Sequence, residues 1–216
     1  MGKSYKKNEV REASKGLRYE VEPFKSKKDI EKIKQYLRGK TDKRDYALFV
    51  LGINVGLRTQ DLVALQIKDV SNSKTEIKNK VQIVEQKTKK IREIEINHSA
   101  AEALKLYLGE KKEYDPEGWL FPSRKGDNHL SVDGVRKIIK TVSEEVGIQG
   151  NYGAHSLRKT FGHHVYLEGY KNNPLILPTL QKIFNHSSQN VTLAYIGIQS
   201  SQISSLYKDL NIWFLV

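Results

Sequence analysis

A histidine and an arginine three residues apart form the clearest chemical motif in the chain, His155 and Arg158 in the stretch HSLRKTFGHH. In a helix this spacing places both side chains on one face. Both groups donate hydrogen bonds to phosphate oxygens, and arginine donates two in parallel. The pattern also fits an exposed polar helix edge, or His155 as a helix cap. His163 and His164 are not spaced with His155 to form a metal site, and no carboxylate cluster flanks them.

A second arginine, Arg58, follows a glycine-terminated helical stretch in GLRTQDL, and Asp61 lies three residues further on. A turn that leads into a helix brings two such side chains within reach of each other. We therefore predict that Asp61 holds the Arg58 guanidinium in position. The alternative is an ordinary surface ion pair, which contributes little to stability.

Three lysines, Lys87, Lys89 and Lys90, lie in the stretch EQKTKKIRE between two segments of strand character. Lysines at such turns usually keep a sheet edge soluble. Three in one turn exceed that need, so a lysine here could bind nucleic acid or donate a proton to a leaving oxygen.

Tyr195 lies nine residues after His186 in NHSSQNVTLAY, with no charged residue between them. The two residues belong to short helical segments joined at SSQN. Because the chain has 11 tyrosines, Tyr195 taken alone could be an ordinary core aromatic. A histidine that assists a tyrosine nucleophile is the other interpretation.

The composition is strongly basic, with 37 Lys and Arg against 25 Asp and Glu among 216 residues and a formal net charge of +12. Such a field attracts polyanions, of which nucleic acid is the commonest for a soluble protein. We find no lipidation motif or basic amphipathic anchor that would favour a membrane surface. The absence of cysteine excludes disulfides and a Cys-ligated zinc site. With no apolar run of about 20 residues and no signal-like apolar stretch, we expect a cytoplasmic protein and no membrane partner.

The elements that must position these residues are mostly helical. Ser26 should cap a first helix that ends at Gly39, and Thr59 a short third one. Two segments with alternating apolar residues, TEIKNKVQIVEQ and KIREIEI, predict a hairpin. Ser99 and Glu102 should form a capping box. Further helices are expected near residues 131–147, 155–169, 178–186 and 188–195. The predicted fold class is mostly α with one small antiparallel β-sheet (α+β).

Taken in order, these motifs resemble the catalytic domain of the tyrosine recombinase (phage integrase) family, which shares its fold with type IB topoisomerases. The family order is an arginine with a nearby acid, a hairpin lysine, His-x-x-Arg, a histidine or tryptophan, and the nucleophilic tyrosine. The chain supplies Arg58, Lys87, His155, Arg158, His186 and Tyr195. Asp61 stands where glutamate is more frequent, and Asn185 precedes His186 where the family more often has glycine.

The resemblance covers about residues 25–200. It implies a catalytic domain there, a basic tail or linker at residues 1–24, and a C-terminal tail at residues 201–216. That tail could pack on its own domain or dock on a neighbouring protomer. Family members usually carry an N-terminal core-binding domain, and 24 residues are too few to form one.

The resemblance also implies a reaction in which Tyr195 cleaves a DNA strand through a 3′-phosphotyrosyl intermediate, without metal, ATP or any other cofactor. Arg58, Arg158 and His186 would stabilise the charge on the transferring phosphoryl group. A tyrosine, whose ordinary pKa is near 10, needs help to lose its proton. His155 is the expected base and Lys87 the expected acid. The residues expected to bind DNA are Lys89, Lys90, Arg92 and Lys159.

The implied partner is double-stranded DNA, bound by a tetramer that forms from monomers on the DNA, with accessory DNA-bending proteins as possible helpers. The implied setting is the nucleoid of a bacterial or phage-infected cell, and the implied source a phage or other mobile element. Two alternatives remain open. One is a topoisomerase-like enzyme without strand exchange, and the other is a DNA-binding protein that keeps the fold without catalysis.

Overall fold

The computed structural model describes residues 20–87 and 89–198. This part of the chain folds into nine helices and one hairpin. In chain order the elements are α1 (Lys27–Gly39), α2 (Arg44–Val55), α3 (Thr59–Val63), α4 (Ile67–Val70), β1 (Lys80–Val84), β2 (Ile91–Glu95), α5 (His98–Gly109), α6 (Val132–Glu145), α7 (Ala154–Gly169), α8 (Ile176–Phe184) and α9 (Gln189–Tyr195). The prediction of a mostly helical fold with one small antiparallel sheet is confirmed. No helix within these ranges is long and apolar enough to cross a bilayer.

Helix α2 lies at the centre of the domain. Its residues 46–51 are apolar and buried, so the helix has no solvent-facing stripe, as expected for a core element. It packs between α5 and α7, and α1 covers it from another side. His155 and Arg158, both on α7, are therefore attached to the main core.

Helix caps follow the sequence prediction at one position and depart from it at two. Ser26 caps α1 by accepting a hydrogen bond from the Asp29 amide. Thr59 does not cap α3; it is the first helical residue, and its hydroxyl donates to the carbonyl of Ala154. The predicted capping box at Ser99 and Glu102 is also wrong, because Asn97, two residues before Ser99, caps α5.

The hairpin turns one face of each strand towards the core. Val81 and Ile83 of β1 are buried, as is Ile94 of β2, while Val84 and Ile91 at the hairpin end are exposed. Because side chains alternate across a strand, a residue two positions before or after a buried one lies on the same face. Glu85 and Arg92 lie on this inner face.

Helices α8 and α9 pack on α7 through a second, smaller apolar cluster. Its buried members are Leu180, Phe184, Ile196 and Ile198. Gly162 on α7 permits this close packing, since a Cβ there would lie 2.6 Å from Phe184 and 2.7 Å from Ile196. His163 adds a hydrogen bond between its Nδ1 and the Ile196 carbonyl. The end of α9, which carries Tyr195, is thus bound directly to α7.

Residues 20–24 run along the folded domain. Phe24 is buried and stacks on Tyr152, with 4.2 Å between the ring centres. Its amide donates to the Thr160 hydroxyl, and its carbonyl accepts from Nε2 of His164. The division into tail, catalytic domain and C-terminal tail stays a prediction, and residues 1–19 and 199–216 lie outside the described ranges.

Candidate active site

One cavity of about 510 Å³ collects the residues that the sequence motifs single out. It lies where the start of α3, the hairpin turn, α7 and the α8–α9 connection meet. Its lining includes all six residues predicted to be catalytic. They are Arg58, Lys87, His155, Arg158, His186 and Tyr195. Their separate roles stay predictions.

Arg158 is the most deeply placed cation of the site, with only 3% of its surface exposed. Its guanidinium donates to the carbonyls of Gly56, at 2.5 Å, and Ile183, at 3.4 Å. Gly56 has a left-handed backbone (φ 59°), and a Cβ there would lie 2.3 Å from Phe161. Burial lowers the pKa of Arg158 to about 10. The group therefore stays charged at neutral pH, in a fixed orientation.

Arg58 is paired with Glu85, not with Asp61 as the sequence predicted. Its Nη1 lies 2.7 Å from Oε2 of Glu85. The Asp61 carboxylate instead accepts the amide of Gln86 at 2.9 Å and so ties the hairpin turn to α3. Within the described chain, Arg58 Nη1 is buried and makes no aligned hydrogen bond. The contact with Glu85 is thus a close charge pair without the alignment of a hydrogen bond.

Arg92, predicted to bind DNA, instead makes its polar contacts with other residues of the domain. It lies 3.6 Å from Glu85 and donates to the carbonyls of Val55 and Ile183, each at 3.5 Å. Strand alternation explains this position, because Arg92 shares a face with buried Ile94. Val81, Ile83 and Glu85 follow one another at intervals of two residues, so the alternation also indicates that Glu85 is buried. Glu85 is not among the residues predicted from the sequence.

Replacement of the buried Glu85 by alanine should destabilise the domain, because two partly buried arginines, Arg58 and Arg92, would lose their counter-ion. We expect the free energy of unfolding to fall by about 3 kcal/mol, as for other broken buried ion pairs. Urea denaturation followed by circular dichroism measures it. Glu93→Ala, which breaks an exposed pair with Lys80 on the same hairpin, is the control and should cost less than about 1 kcal/mol. Equal losses in both variants would contradict the assignment.

Tyr195 lies among aromatic and cationic groups. Its ring centre is 4.9 Å from that of His186, 5.3 Å from that of Phe184 and 5.0 Å from the Lys159 ammonium. Burial raises the pKa of Tyr195, while Arg158 and Arg58 act in the opposite direction. The phenol is therefore protonated at neutral pH and needs a proton acceptor before it can attack.

The two histidines of the cavity are both shifted towards the neutral form. Desolvation lowers the pKa of His155 although the residue is partly exposed to solvent, and Lys159 and Arg158 add to the effect. Burial and the nearby arginines lower the pKa of His186 as well. His186 Nδ1 lies 3.1 Å from the hydroxyl of Thr192, which is fully buried and fixes the ring. A neutral His155 is able to accept a proton.

The hairpin lysines differ in position. Lys87 lines the cavity, whereas Lys89 and Lys90 are exposed on the turn, with Lys89 in a left-handed conformation (φ 57°). DNA binding by Lys89 and Lys90 stays a prediction. Lys159, also predicted to bind DNA, is 4% exposed and paired with Glu20. Its ammonium is therefore directed into the protein.

Two solved structures that are similar to this chain are recombinases. The XerA recombinase superposes with a TM-score of 0.64 at 22% identity, covering 91% of this chain and 66% of that one. The XerH site-specific recombinase bound to its palindromic difH substrate gives 0.62 at 20% identity, covering 88% and 54%. The fold is therefore that of a tyrosine recombinase catalytic domain.

The family model described as the phage integrase family matches residues 24–202. The protein named "probable integrase/recombinase YoeC" of Bacillus subtilis (strain 168) is 37% identical over 188 residues, covering 87% of this chain and 96% of its own. The tyrosine recombinase XerC of Thermodesulfovibrio yellowstonii is 29% identical over 174 residues, covering 77% of this chain and 54% of its own. The chain belongs to the phage integrase family, which confirms the resemblance. It spans about half the length of the XerC protein. Site-specific DNA recombination, an enzymatic breakage and rejoining of strands, is the activity that these similarities support.

Proposed function

We propose that this chain is the catalytic domain of a site-specific recombinase that cleaves DNA through Tyr195. The observation that carries the proposal is the position of a tyrosine beside one buried arginine, Arg158, and one partly buried arginine, Arg58. Arg158 is held by two backbone carbonyls, and Arg58 keeps a buried nitrogen without an aligned acceptor. A phosphate oxygen would supply that acceptor. The cavity thus offers fixed positive charge at the place where a phenol could attack.

In the proposed step the Tyr195 oxygen attacks a DNA phosphorus atom, and the bond from phosphorus to the 5′-oxygen breaks. The products are a 3′-phosphotyrosyl link and a free 5′-hydroxyl. Attack by the 5′-hydroxyl of a second strand reverses the step and joins the new ends. Arg58 and Arg158, with His186 as a further hydrogen-bond donor, stabilise the negative charge that builds up on the phosphoryl oxygens.

Two proton transfers accompany this exchange. His155 is the proposed acceptor of the phenol proton, since its lowered pKa keeps it neutral at neutral pH. Lys87 is the proposed donor to the leaving 5′-oxygen, which would otherwise depart as a poor alkoxide. Its place in the cavity, in the hairpin turn that follows β1, supports this role.

The proposed partner is double-stranded DNA, held mainly by phosphate contacts of the basic surface. The net charge of +12 and the DNA-bound complex of XerH support this choice. We further propose assembly from monomers into a tetramer on DNA, with accessory DNA-bending proteins, in the nucleoid of a cell that hosts a phage or other mobile element.

A suicide DNA substrate tests the proposal. Its cleaved strand carries a nick beside the site, so that the short leaving fragment diffuses away and the protein–DNA adduct accumulates. Random-sequence duplexes selected for binding supply the site. We expect a covalent adduct that mass spectrometry locates at Tyr195. DNA binding without an adduct would favour a non-catalytic protein, and relaxation of any supercoiled plasmid would favour a topoisomerase.

A substrate with sulfur in place of the bridging 5′-oxygen tests Lys87. A thiolate leaves without protonation, so Lys87→Ala should lose about a hundredfold in cleavage rate on normal DNA and recover on the sulfur substrate. Lys89→Ala and Lys90→Ala are matched controls from the same turn. Recovery by either of these variants instead of Lys87→Ala would assign the acid to another lysine.

A further inference from the structure

We propose that Lys159 is a positioning residue of the active site, whose ammonium fixes the ring of Tyr195 and holds a positive charge beside it, with Glu20 as its counter-ion. The proposal rests on the proposed role of Tyr195 as the nucleophile. It replaces the predicted role of Lys159 in binding DNA.

The geometry around Lys159 is that of an internal charge. Its side chain is 5% exposed, and its Nζ lies 2.5 Å from Oε1 of Glu20 and 5.0 Å from the centre of the Tyr195 ring. A lysine this deeply placed needs a charged partner, since desolvation of an unpaired ammonium is costly. An ammonium over the face of an aromatic ring is attracted by the ring's electrons. Lys159 therefore restrains the ring from the side of α7.

Glu20 is well placed to be a permanent counter-ion. It belongs to the segment that leads into the domain, and the Glu20 carbonyl accepts a hydrogen bond from the Asn151 amide group. Four residues later, Phe24 is anchored in the core. The same segment contacts the turn after Tyr195, because a Cβ on Gly197 would lie 3.1 Å from Pro23. The entry segment and the nucleophile-bearing helix are thus attached to the same face of α7.

Titratable groups face Tyr195 from the elements that surround it, and the two histidines among them, His155 and His186, are neutral at neutral pH. Arg158 and Lys159 on α7 and Arg58 at the start of α3 are cations, and the entry segment contributes the Glu20 carboxylate. The groups are Arg58, Lys87, His155, Arg158, Lys159, His186 and Glu20. Of these, Lys159 and Glu20 form one ion pair whose two members have opposite effects on the phenol.

Because Lys159 and Glu20 affect the phenol in opposite directions, replacing each in turn distinguishes an effect of charge from a merely structural effect of the ion pair. Lys159→Met removes the cation and leaves the carboxylate, so ionisation of Tyr195 should require higher pH. Glu20→Gln removes the carboxylate, which by itself raises the Tyr195 pKa, so ionisation should occur at lower pH. Loss of an ordinary structural salt bridge would loosen the site in the same way from either side.

The experiment is a 19F NMR titration of the full chain labelled with 3-fluorotyrosine, whose phenol is more acidic than that of tyrosine. Tyr195→Phe identifies the resonance of residue 195. We expect its midpoint to rise by roughly one pH unit in Lys159→Met, a tenfold change in phenolate fraction, and to fall by a smaller amount in Glu20→Gln. Lys159→Arg, which keeps the charge, should restore a midpoint close to that of the unaltered chain.

Lys105→Met and Glu102→Gln break an exposed pair on α5 and should leave the midpoint unchanged. Shifts in the same direction for Lys159→Met and Glu20→Gln, or no shift in either, would overturn the proposal. If Lys159→Met fails to fold, Glu20→Gln at the exposed Glu20 still tests the proposal, because the titration midpoint of Tyr195 should fall in that variant. The titration needs no DNA and is therefore independent of the suicide-substrate assay. Absence of a covalent adduct in that assay would count against the proposed function, whereas the titration alone decides this inference.

Discussion

Tyr195→Phe is expected to abolish covalent DNA adducts while DNA affinity changes less than about twofold. Phenylalanine keeps the ring contacts with His186 and Phe184 and removes only the attacking oxygen. Because no other group can form the same phosphodiester link, the loss should exceed about 10⁴-fold, near the limit of detection in gel assays of the suicide substrate. Affinity is measured in parallel by fluorescence anisotropy with the same duplex.

Tyr170→Phe is the matched control, since Tyr170 is an exposed tyrosine that directly follows α7. It should retain full adduct formation. Persistent adducts in Tyr195→Phe would remove Tyr195 from the role of nucleophile.

Arg158→Ala should reduce strand cleavage by about a thousandfold, because it removes a fixed donor from the position where negative charge develops. The hydrogen bonds to the Gly56 and Ile183 carbonyls would also be lost. Thermal unfolding must therefore be measured beside single-turnover cleavage. Arg158→Lys keeps one charge but not the paired geometry, so we expect an intermediate rate.

Arg136→Ala, which removes an exposed arginine paired with Asp133 on α6, controls for the loss of one positive charge. Its cleavage rate should stay within about threefold of the unaltered chain. A comparable rate in a folded Arg158→Ala variant would contradict the proposed stabilisation of the phosphoryl group.

Local sequence patterns predicted the elements well because they depend on near neighbours. Apolar residues at helical spacing indicated α1 and α5, and period-two alternation indicated the hairpin. The caps at Thr59 and Ser99 were wrong by one or two residues. Several polar residues at each helix start are able to cap it, and the surrounding packing selects one.

The same alternation also indicates which charged residues of the hairpin face inward. It places Glu85 and Arg92 on the inner face of the hairpin, where they meet Arg58. The sequence-based prediction paired Arg58 with Asp61, which is only three residues away in sequence. A partner 27 residues away and on another element is selected by packing, and sequence proximity gives no indication of it.

By itself the sequence determined the family, the fold class and the ordered set of residues around the cavity, because spacing within a helix or turn sets which side chains share a face. Only the tertiary structure decided which charge pairs with which. Glu85 is the counter-ion of Arg58, and the Asp61 carboxylate accepts a hydrogen bond from the hairpin turn. Lys159 lies over the ring of Tyr195 and is paired with Glu20. Charge pairing depends on distances between elements that are remote in the chain, and those distances exist only after the core has packed.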